Sequence, residues 1–153
     1  MQNGIGIPVD KEAAAKYYKM TSIKHLPIAM NAFAMMLMTG DGISADARAA
    51  EEYFKIAIYS GCTAAMINYA NYLEKGIGVS KNILVAAKYY KMAAEAGNVE
   101  GMHSIGYFIL NGMGMEVNLK ETAKYFKIAS DKGYKHSMFY LAQIYHLWRW
   151  NYC

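Results

Sequence analysis

The sequence predicts an all-α solenoid of antiparallel helix pairs, built from 36-residue repeats. Three observations carry this. Paired glycines recur at Gly4/Gly6, Gly40/Gly42, Gly76/Gly78 and Gly112/Gly114, each step 36 residues without a gap. An aromatic pair recurs in the same register as Tyr17-Tyr18, Tyr53-Phe54, Tyr89-Tyr90 and Tyr125-Phe126, with Lys19, Lys55, Lys91 and Lys127 directly after. A methionine column, Met30, Met66, Met102 and Met138, keeps the same spacing. Self-similarity at a period of this size marks a stacked array, in which each unit buries its apolar face against its neighbours.

Each element follows from local chemistry. Asp10, Asp46, Asn82 and Asn118 share one column. Their side chains can accept from the orphan amides of a first helical turn, so each is read as a helix N-cap. The helices they open (type B) are expected near 11–24, 47–60, 83–96 and 119–132. Gly61, Gly97 and Gly133 close three of them, as the left-handed C-cap conformation favours. The first copy has His25 there and Pro27 soon after, a different way of stopping a helix.

A second helix type (A) is expected near 28–39, 64–75, 100–111 and 136–147. Four residues past each column methionine stands a small residue, Ala34, Ala70, Gly106 or Ala142, preceded by the bulky Phe33, Tyr69, Ile105 or Leu141. Large beside small at fixed places is what close helix crossing requires. The layout is one array over 1–153: a half repeat 1–26, repeats 27–62, 63–98 and 99–134, and a half repeat 135–153. The last A helix departs from the pattern, reading Trp148-Arg149-Trp150 where Gly-x-Gly would come. Half repeats at both ends suggest a piece of a longer array, a head-to-tail oligomer in which helix A of one chain completes helix B of another, or a monomer whose ends tuck in.

Composition narrows the function classes. The net charge of +4 is modest and spread over the repeats, so nucleic acid is not expected as a partner. The lysine column, with Lys16, Lys88 and Lys124 one turn away, is interrupted by Glu52; lysine stems covering apolar surface account for it. The apolar run 28–38 is too short to span a bilayer, and residues 1–10 show no secretory signal. Cys62 and Cys153 form no framework, which points to free thiols and a cytoplasmic location. His25, His103, His136 and His146 lack metal-ligand spacing, and the glycine pairs lack GxGxxG or Gly-Lys-Ser/Thr. No metal, no cofactor and no catalysis are expected.

The residues Gly76-Ile-Gly78-Val79, Asn82, Ala87, Tyr89-Tyr90, Lys91, Ala93-Ala94 and Gly97 resemble, in order, the Sel-one-like repeat family, a relative of the tetratricopeptide repeats. Tyr replaces the family's commoner Trp at the first aromatic position. The resemblance covers residues 4–147 and implies a right-handed superhelix serving as a scaffold or adaptor in protein–protein interaction. It also implies that the A helices line a concave groove holding a peptide or protein partner. The groove columns flanking Met30 and Ala34 are then Asn31, Met35 and Met38; Ile67, Asn71 and Glu74; His103, Tyr107 and Leu110; Phe139, Gln143 and His146. They vary from copy to copy while the packing columns stay constant, and their Met, aromatic and amide side chains suit an extended peptide or a partner helix.

Two alternatives follow from the same resemblance. One is a structural segment of a longer adaptor of the ubiquitin-ligase, ER-degradation or signalling type. The other is a penicillin-interacting, β-lactamase-like protein, which the missing cysteine pairs and missing Ser-x-x-Lys speak against.

Overall fold

A computed structural model describes residues 10–23 and 26–151. Eight α-helices, with no strand among the described residues, are α1 (Lys11–Ile23), α2 (Pro27–Thr39), α3 (Ala47–Tyr59), α4 (Thr63–Lys75), α5 (Ile83–Glu95), α6 (Val99–Leu110), α7 (Leu119–Asp131) and α8 (Lys135–Asn151). Odd-numbered helices are type B and even-numbered ones type A. The fold is an all-α solenoid. Gly4, Gly6, His25 and Cys153 lie outside the described residues.

The caps form as their chemistry requires. Asp10, Asp46, Asn82 and Asn118 each accept, through the side-chain oxygen, the N–H three residues on, at 2.9–3.0 Å. Such a cap contributes about 1 kcal/mol. Asn98 caps α6 in the same way by accepting from Gly101 N–H at 2.9 Å. Gly61, Gly97 and Gly133 take φ of 81°, 88° and 86° just past α3, α5 and α7. Pro27 corrects the expectation: it opens α2 at its first turn, where a missing N–H costs nothing. The last A helix also runs past residue 147 to Asn151, because no glycine interrupts it.

The chain divides into two compact units, Met1–Cys62 and Thr63–Cys153. In the first, α2 packs against both α1 and α3, and Phe33 meets Tyr53 edge-on at 5.0 Å. In the second, each helix from α4 to α8 packs against the next. Its core holds Tyr90, Phe108 and Phe126, all essentially fully buried, with Tyr90 and Phe108 in edge contact at 4.9 Å. Neighbouring A helices are tied at their ends, Asn98 Nδ2 donating to Thr63 Oγ1 at 3.2 Å.

One core position breaks the pattern of its column. Ala50 and Ala86 are fully buried, and Thr122 stands at the next copy with its hydroxyl buried and without a hydrogen-bond partner. An unsatisfied buried hydroxyl costs about 1–3 kcal/mol, part of which the extra methyl offsets by packing. Thr122→Ala is therefore expected to raise the midpoint of urea unfolding; a lowered midpoint would show that the methyl outweighs the hydroxyl.

Candidate functional site

The expected groove columns separate into two behaviours. Asn31, Met38 and Ile67 are buried, so these three do not present the open surface expected of them. His103 turns toward the next A helix, its Nδ1 lying 3.0 Å from Ser137 Oγ at the start of α8. Helical spacing alone does not distinguish a side chain facing the next repeat from one facing solvent. Met35 is exposed, in the first unit.

In the second unit the remaining positions stay accessible. Asn71 and Glu74 on α4, and His103, Tyr107 and Leu110 on α6, are half-buried; Phe139, Gln143 and His146 on α8 are exposed. The positions one and two turns after the column methionines thus form a stripe: Asn71 and Glu74, then Tyr107 and Leu110, then Gln143 and His146. Along α8 a depression of ≈ 560 Å³ is lined by Phe139, Ala142, Gln143 and His146. In the first unit a depression of ≈ 460 Å³ has Glu12, Lys16, Lys19, Phe33 and Leu37 among its lining residues.

Asn71 and Glu74 are fixed from below. The Tyr90 hydroxyl lies 2.6 Å from Asn71 Oδ1 and 2.8 Å from Glu74 Oε2, sharing its one proton between two acceptors. Burial pushes the Tyr90 phenol well up from its usual value, and the hydrogen bond and negative charge of Glu74 push it further. The hydroxyl therefore stays a donor throughout the physiological range. Phe54 and Phe126 occupy the preceding and following copies of this position without a hydroxyl, so in the second unit Tyr90 alone supplies this anchor.

His103 sits in an aromatic cluster. Its ring is 4.9 Å from Tyr134, 5.5 Å from Phe126, 5.8 Å from Tyr140 and 6.0 Å from His136, centroid to centroid. Tyr140 also stacks on Phe126 at 5.3 Å and meets Tyr107 at 5.8 Å. Sequence reasoning passed over Tyr140, although a signal was present: its column otherwise holds Ala32, Asn68 and Ser104.

Burial, and then the nearby His136, lower the His103 pKa from 6.5. The unfolded chain therefore takes up this proton first. The stability tied to neutral His103 is complete above pH 6.5 and is lost as pH falls below it. Thermal unfolding is expected to show a Tm that drops between pH 7 and pH 5, with a smaller drop in His103→Gln. The other histidines are common to both proteins, so equal slopes would remove His103 as the cause.

The lysine column on the B helices is exposed, and Lys55 and Lys127 pair along their own helices with Glu51 and Asp131. Cys62 is buried and makes no disulfide. Among the described residues no helix is long and apolar enough to cross a membrane, and no group of three or more His, Cys, Asp or Glu is placed to hold a metal ion.

Comparison with known proteins gives a family model, the Sel1 repeat, matching residues 1–22, 27–62, 63–98 and 99–134. Among solved structures, a protective antigen of uropathogenic Escherichia coli strains displaying an SLR fold superimposes with a TM-score of 0.85 at 28% identity, over 95% of this chain and 31% of that one. A Sel1 repeat protein from Oxalobacter formigenes gives 0.82 at 27% identity, over 92% and 57%. Cysteine rich protein B of Helicobacter pylori gives 0.69 at 23% identity over 91% of this chain and 100% of that one, a likeness of fold. The chain thus spans about a third and somewhat over half of the first two. No curated protein sequence matches it.

Proposed function

The chain belongs to the Sel1 repeat family, whose members generally mediate protein–protein interaction and are generally non-enzymatic scaffolds; from this we propose that it is an adaptor holding a peptide or protein segment against its A helices. One observation carries the reading. In the second unit, accessible side chains form the stripe from Asn71 and Glu74 through Tyr107 and Leu110 to Gln143 and His146, beside packing columns that are buried on α4 and α6. The ligand surface combines a carboxylate and amides for polar main-chain or basic groups with aromatic and apolar area for side chains. Affinity then comes from a few anchors rather than from total area. A reducing, cytoplasmic setting suits the unbridged Cys62 thiol.

The test is affinity capture read by mass spectrometry, with Tyr107→Asp/Gln143→Lys as the control bait and a check that its helix content is unchanged. A partner held by the native chain and lost from the variant supports the groove. Equal capture by both baits would overturn it.

A further inference from the structure

Two helices expose the positions that every equivalent helix buries. On α8, Met138 is 45% exposed, whereas Met30, Met66 and Met102 in its column are 3%, 6% and 9% exposed. Ala142 is exposed, whereas Ala34, Ala70 and Gly106 are buried. On α1, Tyr18 is 40% exposed, whereas Phe54, Tyr90 and Phe126 are essentially fully buried. Ala14 and Thr21 are partly exposed, against fully buried Ala50, Ala86 and Thr122, and Ala57, Ala93 and Ala129.

The complete repeats show what belongs on each face. The ring of the second aromatic of helix B lies on the small residue of the A helix before it: a Cβ built on Gly106 would come within 2.9 Å of the Phe126 ring. The first aromatic of helix B meets the bulky neighbour of that small residue, as Phe33 meets Tyr53 at 5.0 Å and Tyr69 meets Tyr89 at 5.5 Å. The face of α8 is thus shaped for a B helix carrying an aromatic pair, and α1 is a B helix whose matching face is exposed.

We infer that α8 of one molecule seats α1 of a second copy, with Tyr18 over the exposed Met138 and Ala142, so that the two chains together complete a repeat. The interface is heterologous: each molecule has one seat and one plug, so association proceeds head to tail and does not stop at a symmetric pair. The seat adjoins the peptide stripe on α8, where Ala142 lines the same depression as Gln143 and His146, whereas the plug on α1 carries no stripe residue.

Sedimentation equilibrium of the full chain and two single variants, Tyr18→Glu and Ala142→Glu, tests this. Both positions are already exposed, so circular dichroism should match the native chain. The native protein is expected to show an average mass that rises with concentration past twice that of the monomer. Tyr18→Glu alone and Ala142→Glu alone should stay monomeric, since one lacks the plug and the other the seat. An equimolar mixture of the two retains one intact seat and one intact plug, and should give a dimer and nothing larger. A native chain that is monomeric at every concentration, self-association of either variant alone, or a mixture that stays monomeric would each overturn the pairing. Peptide capture by Tyr18→Glu separates this outcome from failure of the groove, because α1 carries none of the stripe residues.

Discussion

Phe126→Ala is expected to lower the unfolding free energy by about 3–5 kcal/mol, the cost of emptying a large aromatic site in a core that relaxes only partly. Phe126 is fully buried on α7, stacks on Tyr140, and lies against His103 and Gly106. It therefore touches both A helices that flank it. In a stacked array each repeat leans mainly on its neighbours, so loss of this ring weakens the α6–α7 and α7–α8 contacts together. Phe139→Ala is the matched control: the same atoms are removed from a side chain that is 61% exposed, and the expected change is within about 0.5 kcal/mol. Urea unfolding of the two variants checks the contrast. Similar losses would mean that burial does not decide the energetics at these two sites.

Gly101→Val is the second large effect. A Cβ at Gly101 would lie 2.8 Å from both the Ala93 Cβ and the Ala94 nitrogen, and 3.0 Å from the Ala93 carbonyl carbon. Two of those atoms are helix backbone, which cannot swing aside as the Phe126 ring can beside Gly106. The α5 and α6 axes must separate, and such overpacking costs about 1–3 kcal/mol, here toward the upper end. Valine also brings a stiff branched side chain into the first turn of α6. Hydrogen exchange should accelerate in α5 and α6 first, because the displaced contact lies between them. Uniform exchange across the second unit would show that the strain is spread through the stack.

The anchor at Tyr90 and the cluster at His103 show where sequence reading stops. The sequence identified Asn71, Glu74 and His103 as variable positions beside constant ones. It did not connect Glu74 to Tyr90, sixteen residues away, because a hydrogen bond between helices depends on their separation and rotation. Nor did it separate Ile67, buried, from Tyr107, accessible, although both flank a constant column.

What the sequence determined by itself was the one-dimensional part: the period, the eight helices, the Asp and Asn caps, the glycines at positive φ and the columns that face inward. These depend on interactions within a few residues, repeated identically, so spacing alone encodes them. Which variable side chains face solvent and which face the next A helix were decided only by tertiary structure. They follow from how helices lie on one another, and in the outermost helices α1 and α8 the same column positions meet different surroundings.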